Sequence, residues 1–392
     1  MTIRRKTSPA PVNGSGGGRL GGTEEGATVM PARPLGAGSA LAKLIIPFLL
    51  PLLFMVTTVP TGYLLESPGP SFDLQADLEV EGAQTYASQG EFLLTSVSIQ
   101  EASLFFHALS LFSGKYDVMR VRDYLGEELD TEEQEVVDTV VTYVSEDTAT
   151  VAGLREAGLP VEVAGLGALV VAVAEGYPAA GVLEEGEVIV AVNGERVTGG
   201  ESLNALVNAA PEGSAVALTL KRLDGEKVRE AAKETAKGGP PPELPALLSE
   251  EVREIELVPV YEPTLGRRIL GVSVRDYFTY ASDVRVKWDL ETVKGPSAGL
   301  MMTLSLYNTL TPDDITAGER VAGTGEITLD GKVGPIGGLP MKIRAAEKRG
   351  AEVFLYPIGN EEDLAGVSTS MALHPVSTLE EAVTYLRSLS PR

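Results

Sequence analysis

Gly295-Pro296-Ser297-Ala298-Gly299-Leu300 opens an apolar run that continues to Leu310, and the reading of this stretch decides what the C-terminal third of the chain is. Gly295 and Gly299 let the backbone turn tightly and bring its amides close to a bound group. A helix is expected from Ala298 to about Thr309, which puts Ser297 where the positive end of the helix dipole stabilises developing negative charge. Two roles fit a serine in that place. It can cap the helix, or it can be a nucleophile, which needs a neighbouring base to take its proton. Histidine is the usual base, but the chain has only two, His107 and His374, and no cysteine. A lysine whose cation is destabilised can serve instead.

Lys342 has the properties of such a lysine. It lies 342 − 297 = 45 positions after Ser297, behind Gly337-Gly338-Leu339-Pro340 and inside a helix expected over 340–349 that Gly350 stops. Lys348 and Arg349 occupy the last turn, where the dipole favours cations, whereas Lys342 occupies the first, where it does not. Ala345 and Ala346, three and four positions on, give its stem a small apolar face. Desolvation and the positive helix end both work against the ammonium. A surface lysine that snorkels along the helix is the competing reading.

Bulk properties exclude several function classes. The 392 residues allow two or three domains, and 44% apolar with 22% charged residues is an ordinary globular balance. Without cysteine, and with its two histidines 267 positions apart, the chain offers no metal-ligand cluster, and no cofactor is implied. Residues 1–43 carry Arg4, Arg5, Lys6, Arg19, Arg33 and Lys43 against Glu24 and Glu25, a balance of +4, so the rest holds −23 − 4 = −27. So acidic a body is repelled by phosphate backbones, which excludes nucleic acid as a partner. The isolated acids Glu326, Asp330 and Asp289 read as solvated or turn residues and are assigned no chemistry.

Basic residues precede the 22 uncharged residues Leu44 to Leu65. As a helix this run is about 33 Å long, enough for a hydrocarbon core of about 30 Å. Pro47 and Pro51 bend it, which membrane helices tolerate. The expectation is a disordered cytoplasmic leader (1–39), a transmembrane signal anchor (40–65), and everything after it outside. A cleaved secretory signal competes, against the long lead and a poor cleavage site.

Beyond the anchor, 66–160 reads as an α/β segment. It contains the turn Ser67-Pro68-Gly69-Pro70, a strand over Phe92–Ile99, an undecided apolar stretch Ala102–Phe112, and helices over Glu132–Tyr143 and Ala149–Ala157. From 161 to 230 the pattern changes to short strands, at Leu169–Val173, Val188–Val192 and Ala215–Leu220, with a short helix at Leu203–Ala209. A linker spans 231–250, and 251–392 forms an α+β unit.

Two resemblances rest on these residues. Gly165-Leu166-Gly167-Ala168, Gly176-Tyr177-Pro178-Ala179 and Gly186-Glu187-Val188-Ile189-Val190-Ala191-Val192-Asn193-Gly194 resemble a PDZ domain, with Glu187 where that family more often has Asp. The resemblance implies that Gly165, Leu166, Gly167 and Ala168 form a loop cradling a peptide carboxylate, the peptide adding to the sheet edge. GPSAGL (295–300), TGEITLDG (324–331), PIGGL (335–339), Lys342 and GAEVFLYP (350–357) resemble the proteolytic domain of the Lon family. That resemblance implies Ser297 as nucleophile, Lys342 as base and Thr324 as a supporting hydroxyl, with Gly295 and Pro296 shaping the serine turn. Lys294 departs from it, standing where the Lon pattern has an aspartate. The chain also has no G-x-x-x-x-G-K-[ST] phosphate loop.

The order of anchor, PDZ-like unit and Lon-like unit resembles the membrane-anchored PDZ–Lon proteases of bacteria. It implies a multidomain fold: an N-terminal transmembrane helix, a PDZ-like β-rich domain and an α+β Lon-type proteolytic domain. It implies an ATP-independent serine endopeptidase on the outer face of the cytoplasmic membrane, with polypeptide substrates, no cofactor and a possible homo-oligomer. A tethered peptide-binding protein without catalysis is the alternative.

Overall fold

The computed structural model describes residues 59–76, 78–110, 116–120, 131–290 and 295–389, and the single positions 47, 49, 54 and 56. The leader 1–39 and Lys294 lie outside the described residues.

Six strands form the sheet that carries the serine and the lysine. Their spatial order is Ala372–Val376, Val353–Pro357, Arg320–Gly323, Glu91–Ser103, Pro60–Asp73 and Asp117–Arg120. The first four run parallel, and the last two join antiparallel. Strands buried on both faces alternate their apolar side chains between two cores. Phe92, Leu94, Val321, Val353 and Leu355 face the helices Gly299–Leu310 and Leu379–Arg387. Leu93, Ala322, Phe354 and Tyr356 face the helix Leu339–Arg349 on the other side. The serine and lysine helices therefore lie on opposite faces, and their starts can meet only beyond the strand ends.

This sheet corrects the expected boundary at 66–160. The strands Pro60–Asp73 and Glu91–Ser103 are integral to the C-terminal domain, because the central strand Arg320–Gly323 needs a partner on each side and finds one in Glu91–Leu94. The end of the expected anchor is corrected too, while its residues 40–46 and most of 48–58 lie outside the described residues. Pro60–Leu65 is strand, with Tyr63, Leu64 and Leu65 opposite Arg120, Met119 and Val118, and Leu65 fully buried in protein. The end of the apolar run serves a core. That leaves the 16 uncharged residues 44–59, about 24 Å as a helix. Among the described residues no helix is long and apolar enough to cross a membrane.

The second sheet has the order Val272–Ala281, Glu162–Val173, Glu187–Val192, Val216–Arg222 and Arg253–Leu257, each pair antiparallel. Residues 253–281, read from sequence as the start of the proteolytic unit, thus belong to the sheet of the PDZ-like unit. The helix Gly200–Ala209 packs Leu203 and Val207 on one face of this sheet, against Val170 and Ile189. The expected linker also starts later, since the helix Gly225–Thr235 runs through 231–235.

Between the two sheets lies one 26-residue helix, Thr131–Glu156, where two shorter helices were expected. Ser145-Glu146-Asp147-Thr148 looks like a break by composition. It is carried through because Val144 and Val151 pack on the PDZ-like core while Ala149 and Ala152 pack on the serine helix.

Candidate active site

Ser297 sits half-buried in the short 3-10 turn Pro296–Ala298 that leads into the helix Gly299–Leu310. Gly295 enters this turn at φ 96°, a conformation that L side chains rarely adopt. A Cβ on Gly299 would stand 2.9 Å from Ile327 Cγ2, so the helix start packs directly on the strand after Thr324-Gly325. The long helix holds the turn from one side. The Gly295 N–H donates to Thr142 Oγ1 (2.9 Å) and the Ser145 hydroxyl donates to the Pro296 carbonyl (3.3 Å). From the other side the Ser297 carbonyl accepts from the Gly325 N–H (2.9 Å) and the Thr324 hydroxyl (3.0 Å).

Lys342 reaches the same point from the opposite face of the sheet. It lies in the first turn of the helix Leu339–Arg349, 3% exposed, behind Gly338 at φ 71°. Its Nζ stands 2.6 Å from Ser297 Oγ and 3.1 Å from Thr324 Oγ1. Burial holds its pKa down to about 8, with Glu66 and Glu326 pulling the other way. Ser297, Lys342 and Thr324, singled out from sequence, thus converge within hydrogen-bonding reach. Gly295 precedes and Pro296 begins the turn that carries Ser297. Neither histidine takes part: His107 packs edge-on against Tyr63 and His374 stacks on Tyr385.

Four contributors escape the sequence reading. Glu66 is 6% exposed, with a pKa raised by burial and by Asp117 opposite it across the strand pair. Glu66 directly follows the uncharged run, and no local pattern separates it from a solvated residue beyond an anchor. Thr142 and Ser145 are ordinary helix hydroxyls and gave no signal. Glu326, assigned no chemistry from sequence, pairs with Arg275 at 2.5 Å and acts electrostatically on Lys342. Asp330 is a turn residue as expected, paired with Lys332 at 2.6 Å.

The PDZ-type carboxylate loop is a correction. Residues 165–168 lie inside the continuous strand Glu162–Val173. Gly165 and Gly167 are opposite Phe278 and Tyr277, and Ala168 is opposite Asp276 on one side and Ile189 on the other. The apolar run from Ala168 onward continues the strand backwards through the glycines, and Val272–Ala281 fills the edge where a peptide would add. A Cβ on Gly165 would stand 2.0 Å from the Thr198 carbonyl oxygen, which gives that glycine a packing reason. Glu187 is buried, accepting from the Glu184 N–H at 2.9 Å and pairing with Arg253 at 2.8 Å.

A cavity of about 420 Å³ lies along the long helix, and neither Ser297 nor Lys342 lines it. Thr142, Glu146, Asp147, Tyr280 and Trp288 line it, and burial pushes the Glu146 and Asp147 carboxyls up to about 8 and about 7.

A serine and a buried lysine brought together beyond the ends of a largely parallel sheet, with an antiparallel β-domain beside them, define a Lon-type proteolytic domain joined to a PDZ domain. Comparison with known families agrees: residues 282–387 match the Lon protease (S16) C-terminal proteolytic domain, and residues 134–233 match the PDZ domain. The chain is 44% identical to the Lon protease of Escherichia coli strain K12 over 119 residues, which cover 29% of this chain and 15% of that protein. It is 42% identical to the Lon protease of Haemophilus influenzae over 95 residues, 23% of this chain and 12% of that one. The chain therefore spans only a small part of these relatives' length. Among solved structures, the PDZ domain of an SdrC-like protein from Listeria monocytogenes aligns at 15% identity and a TM-score of 0.20, covering 28% of this chain and 87% of that one.

Proposed function

We propose that the chain is an ATP-independent, membrane-anchored serine endopeptidase that hydrolyses exposed or unfolded polypeptides with Ser297 and Lys342. The observation that carries this reading is the 2.6 Å approach of a 3%-exposed lysine amine to a serine hydroxyl. With its pKa held near 8, a usable fraction of Lys342 is neutral at physiological pH. The neutral Nζ takes the Ser297 proton as Oγ attacks the peptide carbonyl carbon. When the tetrahedral intermediate collapses, the C–N bond breaks and Lys342 returns the proton to the leaving amine. Water, deprotonated by the same amine, then attacks the acyl-enzyme, and the proton goes back to Ser297 Oγ. Thr324 holds both partners, since its hydroxyl lies within reach of Nζ and of the Ser297 carbonyl.

No phosphate loop occurs in the sequence, which supports cleavage without nucleotide hydrolysis and a preference for unstructured chains. The basic residues before the uncharged run support an anchor with its N-terminus cytoplasmic and the catalytic domain outside. With Pro60 in a strand, such an anchor occupies about 40–59. The PDZ-like domain serves substrate recognition or regulation; with Val272–Ala281 on its sheet edge, its link to the serine turn runs through the long helix and the Arg275–Glu326 pair.

The test is cleavage of an unstructured protein by the full chain in detergent, beside Ser297→Ala and Lys342→Ala. Loss in both variants supports the dyad; equal cleavage by all three forms overturns it.

A further inference from the structure

The helix Leu104–Ser110, Leu-Phe-Phe-His-Ala-Leu-Ser, turns its apolar side outward. None of its residues is buried, and Leu104 and Phe105 are 48% and 44% exposed. Ala108, one turn beyond Leu104, is exposed with them, so the three form a single face. Aromatic rings continue the patch, with Phe105–Phe106 centroids 5.5 Å apart and Phe106–Tyr116 6.0 Å apart. The helix carries no Lys, Arg, Asp or Glu. A helix on a water-facing surface shows the opposite pattern, polar residues out and apolar residues in.

Its place in the fold says what covers it. Ser103, immediately before the helix, pairs with Pro60, the first strand residue after residues 44–59 of the uncharged run. Val59, the last of these residues, is itself 37% exposed. The apolar face and the exit of the apolar run thus share one corner of the sheet.

We propose that the face formed by Leu104, Phe105 and Ala108 inserts into the boundary between headgroups and acyl chains of a lipid bilayer, as a second attachment beside the anchor. This rests on the anchored reading given above. Aromatic side chains favour that boundary, and apolar insertion can hold a surface whose acidic body gains nothing from anionic lipid. The attachment also fixes the height of the active site. Glu66 is six residues along the strand from Pro60, so it and Lys342 stand within about 20 Å of the bilayer. Segments of polypeptide emerging close to a membrane are then the substrates within reach.

The chain has no cysteine, so single labels are straightforward. Full-length protein carrying an environment-sensitive fluorophore at Phe54→Cys, Leu104→Cys or Glu230→Cys is reconstituted into phosphatidylcholine vesicles containing nitroxide lipids, shallow or deep. The expected result is deep quenching at Phe54, shallow quenching at Leu104 and none at the exposed Glu230 on the PDZ-like domain. If Phe54 is quenched while Leu104 behaves like Glu230, the anchor stands and this proposal is overturned. If neither is quenched, the anchored reading fails and takes the proposal with it. A Leu104 label shielded from aqueous quencher only at high protein concentration, without lipid quenching, means a second copy covers the face, which also overturns it. Phe105→Asp should abolish shallow quenching of an Ala108→Cys label while cleavage of a soluble unstructured substrate continues, which shows the fold is intact.

Discussion

Gly338 and Glu66 are packed so closely that a Cβ on the glycine would stand 2.1 Å from the Glu66 Oε1. Gly338 also starts the helix that carries Lys342, at a φ of 71°. A buried acid is thus pressed against the first turn of the lysine helix, and the site tolerates it only because the glycine has no side chain. Gly338→Ala adds left-handed strain and drives the carboxylate away from the helix start. The expected outcome is a loss of about 1–2 kcal/mol in unfolding free energy together with reduced kcat. Denaturant unfolding and peptidase kinetics on the same preparation check it, and unchanged values for both would refute the packing argument.

Lys342 sets the direction of the pH profile. Only its neutral form accepts a proton, and its pKa lies near 8. Activity should therefore rise with pH, close to tenfold per unit well below 8, and level off above it. Glu66 favours the ammonium, so Glu66→Gln should move the midpoint of this rise to lower pH. A profile whose midpoint stays where it was, or moves up, would show that the charge on Glu66 does not reach the lysine.

Lys342→Arg keeps a cation in the site but removes the base, since a guanidinium stays protonated at any working pH. The variant should fold and show no cleavage above that of Ser297→Ala. Thr324→Val should do less. It loses a hydrogen bond to Lys342 and another to the Ser297 carbonyl, and a net loss of about 1.4 kcal/mol corresponds to about tenfold in kcat. Thr324→Ser should recover most of that. Full activity in Thr324→Val would remove the threonine from the positioning of the dyad.

How far the site was legible from sequence follows from the range of the forces involved. Ser297, Thr324 and Lys342 stood out because each sits in a local pattern, a glycine turn or a helix start, that constrains its own neighbours. The helices Gly299–Leu310 and Leu339–Arg349 came within a residue of their expected bounds for the same reason. Thr142 and Glu66 could not be found that way. Thr142 matters because its helix lies beside Gly295, 153 positions on, and Glu66 because its strand borders the lysine helix. Sheet membership failed similarly. Nothing local in Val272–Ala281 says that it pairs with Glu162–Val173 and closes the PDZ-like edge, or that Tyr63–Glu66 pairs with Asp117–Arg120. Those choices are made by long-range partners.

Glu146 and Asp147 give a stability prediction opposite in sign to common acid denaturation. In the folded chain burial raises their pKa values from 4.5 and 3.8 to about 8 and about 7. The folded state therefore holds protons that the unfolded state has already released. Stability from this pair is fully present below the unfolded values and is lost as pH climbs from about 4 toward about 8. Glu146→Gln with Asp147→Asn keeps the shape of the cavity wall and removes the proton linkage. The double variant should gain stability over the parent between pH 5 and pH 9 by at least about 1 kcal/mol. Thermal melts at the two pH values, with the other titrating groups common to both proteins, isolate this contribution. A difference that is the same at pH 5 and pH 9 would mean that the two carboxyls titrate normally and that water reaches them freely through the cavity.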